Sequence, residues 1–172
     1  MKENCSNMVI KNILNSKELK IIKKEFDSNP GNMELAGFND YGIKNIYNLE
    51  STIYYLDSLK NIFEEKIDTE LIPVNTYMRK YVKGNQLKPH TDREALDVTV
   101  SIQVDKSDDI INPLIIHTTP KTILNLENGD AGIILYGNRI KHERPPLKSE
   151  WMYNLFLHYS FKNKSDLKKK LI

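Results

Sequence analysis

The sequence predicts an α+β fold that is mainly β: a jelly-roll-like pair of antiparallel sheets with N-terminal helices packed on one outer face. Three observations carry this. Up to about residue 70 the chain mixes helical and short strand patterns; after Pro73 it holds only short β-type runs; and turn signals separate those runs.

In order, "MVIKNIL" (8–14) reads as a short strand. "SKELKIIKKEFDSN" (16–29) reads as an amphipathic helix, with Leu19, Ile21, Ile22 and Phe26 as its apolar stripe and Asn15 or Ser16 as N-cap. "NPGN" breaks the chain, and "GIKNIY" offers a short strand in a weakly patterned stretch. "STIYYLDSLKNIFEEKI" (51–67) reads as one helix capped by Ser51, with Tyr55, Leu59, Ile62 and Phe63 at helical spacing. The β-type runs are "VNTYMRKYV", "DVTVSIQV", "NPLIIHTT", "KTILNL", "AGIILYG" and "WMYNLFLHYSF", divided by "VKGN", "DKSDD", "NGDAG", "GNR" and "RPPLKSE".

Composition bounds the function. The 172 residues suit one domain, and 40 % hydrophobic with 28 % charged content is ordinary for a globular protein. A net charge of +2 demands no nucleic-acid or membrane partner, and no apolar run approaches a membrane span. The basic end "KNKSDLKKKLI" reads as a solvated tail. One cysteine, Cys5, permits no internal disulfide, which fits a reducing cytoplasm, and the N-terminus lacks the apolar core of a signal peptide.

Chemistry concentrates in "QLKPHTDREALDVTVSIQV" (86–104). Side chains alternate along a strand, so Val98, Val100, Ile102 and Val104 share one face and Thr99, Ser101 and Gln103 the other. If the apolar face carries the helices, the polar face lines a wet interior. Just upstream, His90 and Asp92 stand at i, i+2 and project to one side, a pair suited to Fe(II), Mn(II) or Zn(II). Of four histidines, His142 also follows an apolar strand and precedes a turn. His90, Asp92 and His142 would make a two-histidine, one-carboxylate face with open positions. His-x-Asp alone is weak, and a polar surface turn is the bland alternative.

"YVKGNQLKPHTDR" and "GDAGIILYGNRIKHERPP…WMYNLFLHYSF" resemble the 2-oxoglutarate- and Fe(II)-dependent dioxygenases with a double-stranded β-helix (cupin-like) core, especially the prolyl-4-hydroxylase-like branch. "MVIKNILNSKELKIIKKEF" resembles the strand and helix that usually precede that core. The resemblance implies a single domain over 1–172: helical support over 1–70, β-helix core over 71–162 and a basic tail over 163–172. It implies that His90, Asp92 and His142 bind iron and are catalytic, and that Tyr81 and Gln103 contact the co-substrate. It also implies Fe(II), 2-oxoglutarate and O2 as cofactors, with hydroxylation of an unactivated C–H in a small molecule, amino acid or peptide as the default outcome. A carboxylate at position 92 disfavours halogenation.

One departure matters. Relatives place a cation on the last strand to hold the distal carboxylate of 2-oxoglutarate, but here the matching position is near Met152 and no cation lies between Trp151 and Phe161. Small bacterial and phage members carry similar His-x-Asp-Arg and His-x-Arg patterns, with a last strand ending "FLHY". Arg144, two residues past His142, is therefore preferred as the cation, Arg93 second, with Arg79 and Lys148 further candidates.

Blander roles compete. Arg93 could pair with Glu94 or Asp97; Asp97 could cap or orient a ligand; His117 and His158 read first as structural; Trp151 and the tyrosines read as core or rim; and Pro145–Pro146 stiffens a turn. Two other classes stay open: a cupin-like metal enzyme that does not use 2-oxoglutarate, and a non-catalytic β-sandwich binding module. The segments 30–48 and 105–112, where substrate selection would lie, carry no recognisable code.

Overall fold

The computed structural model describes residues 8–29, 36–38 and 44–163. Cys5 and the tail beyond residue 163 lie outside them, as does most of 30–43. The strands are β1 (Val9–Ile10), β2 (Ala36–Phe38), β3 (Lys44–Tyr47), β4 (Leu71–Val82), β5 (Leu87–His90), β6 (Val98–Lys106), β7 (Leu114–Ile116), β8 (Thr122–Leu124), β9 (Ala131–Leu135), β10 (His142–Arg144) and β11 (Trp151–Phe161). The helices are α1 (Ser16–Ser28), α2 (Glu50–Ser58) and α3 (Lys60–Ile67).

α1 begins at Asn15, whose side chain accepts from the Lys17 and Glu18 amides while the Glu18 carboxylate accepts from the Asn15 amide. This capping box satisfies amides that the first turn leaves without partners. Leu19, Ile22 and Phe26 are buried, whereas Ile21 is 50 % exposed and falls off the stripe.

The single helix expected over 51–67 is two helices, interrupted at Leu59. The break lets Tyr55 and Leu56 on one helix and Phe63 and Ile67 on the other all be buried, while Ile62 is left 42 % exposed. Nor does Ser51 cap α2. The Glu25 carboxylate on α1 accepts from the Glu50 and Ser51 amides, 2.8 and 3.1 Å away, a cap supplied across the fold. The strand expected over 8–14 shrinks to Val9–Ile10 because the chain turns at Asn12, where φ is +51°.

Two antiparallel sheets form a double-stranded β-helix. The larger has the order β1-β9-β6-β11-β4-β3-β2, and the smaller β5-β10-β7-β8. The helices cover the outer face of the larger sheet, where Val98, Val100, Ile102, Val104, Leu155, Leu157 and Tyr159 join Ile22, Phe26 and Phe63 in the main core. The inner face of the same strands carries Asn75, Thr99, Ser101, Asn154 and His158, all buried. The period-two pattern of β6 thus separates a dry side from a polar interior, as its sequence predicts. Among the described residues, no helix is long and apolar enough to cross a membrane.

Candidate metal centre and its cavity

His90 ends β5 and His142 starts β10, and the two are direct cross-strand partners with ring centroids 4.4 Å apart. Asp92 follows in the loop and points its carboxylate between them. Asp92 Oδ1 lies 3.6 Å from His90 Nε2 and 3.5 Å from His142 Nε2. One donor atom from each residue falls within 4.8 Å of the others.

Each donor is oriented from behind. His90 Nδ1 lies 2.9 Å from the Lys88 carbonyl and His142 Nδ1 lies 3.2 Å from the Ile140 carbonyl. An N–H at each Nδ1 donates to that carbonyl, which turns both Nε2 atoms toward the shared centre. Thr99 Oγ1 donates to Asp92 Oδ2 at 2.6 Å and leaves Oδ1 for the centre. The Asp92 amide donates to the Gly137 carbonyl at 2.8 Å. Burial alone would raise the Asp92 pKa, but its interactions with His142, His90 and Thr99 outweigh that and hold the carboxyl well below the ordinary carboxylate range. In return, the Asp92 carboxylate raises the His90 pKa against desolvation. Two imidazoles and one carboxylate, held on one side and open on the other, fit a divalent transition metal of the iron type.

A cavity of about 280 Å³ opens on this group, between Tyr47, Tyr77, Arg79, Tyr81 and Leu87 on one side and Thr99, Phe156 and His158 on the other. A larger cleft of about 480 Å³ lies between α1 and β6, away from the centre, and Asp105 is the one carboxylate that lines it. Chemistry assigns the role to the smaller one.

The other residues singled out from the sequence divide. Tyr81 lines the cavity and is 1 % exposed. Arg144 is 3 % exposed; it donates to the Asn112 carbonyl at 3.0 Å and to Ser101 Oγ at 3.1 Å, and its Nε has no partner. Burial lowers its pKa, and the nearby Tyr81 phenol pulls the other way. Arg93 is exposed at the mouth and donates to Asn75 Oδ1, not to Glu94 or Asp97. Gln103 is buried but turns its amide to the Asp105 and Tyr153 carbonyls, and it does not line the cavity. Asp97 accepts from the Asn138 side chain and the Phe161 amide and so ties loops together. His117 pairs with Glu143 at 2.8 Å, away from the centre.

His158, read first as structural, lines the cavity. Its Nδ1 lies 3.1 Å from Asn75 Nδ2, which donates to it, and this sets Nε2 as the N–H. Burial pushes its pKa down to about 4, so the ring is neutral. The sequence signal was its phase with Met152, Asn154 and Phe156 on the last strand.

No protein-family model and no curated protein matches the chain. Solved structures do. An oxidoreductase of the 2OG-Fe(II) oxygenase family from Burkholderia pseudomallei superposes with a TM-score of 0.70 at 16 % identity, over 86 % of this chain and 81 % of that one. A Pseudomonas putida prolyl-4-hydroxylase gives 0.66 at 15 % identity, over 90 % and 92 %. The non-heme alpha ketoglutarate dependent epimerase SnoN from nogalamycin biosynthesis gives 0.70 at 11 % identity, over 88 % and 77 %. At such identities the likeness is one of fold: the chain has the double-stranded β-helix of the 2-oxoglutarate- and Fe(II)-dependent oxygenases, the architecture that its sequence motifs predict.

Proposed function

We propose that the protein is a non-haem Fe(II)- and 2-oxoglutarate-dependent dioxygenase that hydroxylates an unactivated C–H of a small molecule, amino acid or peptide. The observation that carries this is the pairing of the His90–Asp92–His142 group with a buried, uncompensated arginine, Arg144, two residues past His142 on β10. Arg144 has no carboxylate partner among the described residues, and a buried cation without one is costly. A dianionic 2-keto acid answers both features: its keto acid end suits the metal group and its far carboxylate suits Arg144. A guanidinium recognises a carboxylate in bidentate fashion. Arg144 therefore takes the role that the last strand, with Met152 in that place, does not fill.

His90, Asp92 and His142 would hold the iron, and Tyr81 would flank the co-substrate. Bound Fe(II) with 2-oxoglutarate and O2 supplies C–H oxidation, with succinate and carbon dioxide as co-products. The protein's part is orientation and exclusion of water. Thr99 and the carbonyls behind the histidines keep the donors aimed. Tyr77, Phe156 and neutral His158 wall the space where substrate sits.

Fe(II) and 2-oxoglutarate added without oxygen should produce the weak visible charge-transfer band of the chelate. Iron binding with no band would favour a cupin-like metal enzyme that does not use 2-oxoglutarate.

A further inference from the structure

Arg79 is a second buried arginine, and it lines the cavity itself. On β4 it shares the inner face with Tyr77 and Tyr81, and its cross-strand partners are Asn154 on β11 and Asn45 on β3. It is 8 % exposed. Its guanidinium lies 5.7 Å from the Tyr77 ring centroid and 5.2 Å from that of Tyr81. Nη1 donates to Tyr81 Oη at a long 3.5 Å, and Nε has no partner. Among the described residues it forms no ion pair with a carboxylate. Cation–π contact with two phenols offsets only part of the cost of burying an arginine that stays charged.

Charge counting then separates the two arginines. A bound 2-keto acid has one carboxylate at the metal and one beyond it, so it needs one cation besides the metal. On that reading Arg144, held against Ser101 and Asn112, meets that need. Arg79 stands instead next to an aromatic wall that leads to the mouth. Tyr77 lies 4.6 Å from Tyr47 and 5.8 Å from Phe156 between ring centroids, and Tyr47 is 39 % exposed. The cavity is about 280 Å³, the scale of a small-molecule site.

Resting on the oxygenase reading above, we infer that the substrate is a small organic acid whose carboxylate pairs with Arg79 and whose apolar or aromatic body lies against Tyr47, Tyr77 and Phe156. Arg79 is on this reading the residue that selects acid over neutral substrates.

The test uses acetate, benzoate and 3-phenylpropionate, each against its neutral amide, with the full-length protein loaded with Mn(II) and 2-oxoglutarate. Binding is read from the paramagnetic relaxation of the probe's protons. The acids, 3-phenylpropionate above all, should bind roughly ten- to a hundred-fold more tightly than their amides, the range expected for charge-assisted hydrogen bonds. Arg79→Gln should abolish that preference and still give the Fe(II)–2-oxoglutarate band. Equal binding of acids and amides by the wild-type protein overturns the inference, and so does a preference that survives Arg79→Gln. Loss of the band in Arg79→Gln, with retention in Arg144→Met, overturns it by making Arg79 the co-substrate anchor. Absence of the band in iron-loaded wild-type protein defeats the parent reading, and this inference with it.

Discussion

The carboxylate of Asp92 rests against the bare Cα of Gly137. A Cβ at position 137 would lie 2.6 Å from Asp92 Oδ2 and 3.4 Å from Thr99 Oγ1, while the backbones of the two residues are joined by the Asp92 N–H to Gly137 carbonyl bond at 2.8 Å. The carboxylate proposed as a metal ligand is thus held by its backbone, by a threonine hydroxyl and by the absence of a side chain at position 137.

Gly137→Ala should therefore displace Asp92 without unfolding the sheets. Metal affinity should fall by roughly 10–100-fold, the usual cost of disturbing a group that orients a ligand. Titration with Mn(II) or Co(II) measures it, and unchanged affinity would show that Asp92 does not bind metal in this rotamer.

Arg144→Met should separate stability from binding. Two hydrogen bonds to a charged donor are lost, but so is the desolvation cost of the cation, so stability should stay within about 1–2 kcal/mol of wild type. 2-Oxoglutarate affinity should drop roughly ten- to a hundred-fold, while metal affinity holds. Thermal unfolding and the chelate band read the two effects independently.

His158 makes stability pH-dependent. Burial lowers its folded pKa from 6.5 to about 4, so between those values the unfolded chain binds a proton that the native state does not. The native state is therefore favoured fully above pH 6.5 and loses stability as pH falls toward 4, by up to roughly 3 kcal/mol from this group. His158→Gln removes that contribution. The stability difference between wild type and variant, measured by denaturant unfolding across that window, should shift against wild type as pH falls; a constant difference would refute the neutral, buried ring.

Asn15→Ala should cost about 1 kcal/mol by removing the acceptor for the Lys17 and Glu18 amides. Chemical denaturation gives the value, and the chelate band should be unaffected because α1 lies on the outer face of the larger sheet.

How far the sequence could be read depended on how local each signal is. The N-cap offered by Asn15 or Ser16, the two faces of β6 and the His-x-Asp pair are written within a few residues; the structure puts the cap at Asn15, keeps the two faces of β6 and groups His90 and Asp92 with His142. The break at Leu59 was not legible, because an uninterrupted helical pattern carries no mark of where the underlying sheet demands two angles. The cap on α2 was misplaced on Ser51 because its true source, Glu25, is remote in sequence. Gln103 sits on the expected strand face, yet its amide is taken up by backbone carbonyls, which no pattern foretells.

By itself, then, the sequence determined the fold class, the apolar and polar sides of β6 and the three candidate residues of the metal-type group, since periodicity and the placement of histidines at strand ends encode them. Only the tertiary structure decided which polar groups lack partners. Arg144 and Arg79 are both inward by strand phase, but whether a buried cation is compensated depends on every chain segment packed around it. That sum over distant neighbours makes one arginine the proposed seat of the co-substrate and the other the proposed reader of substrate charge.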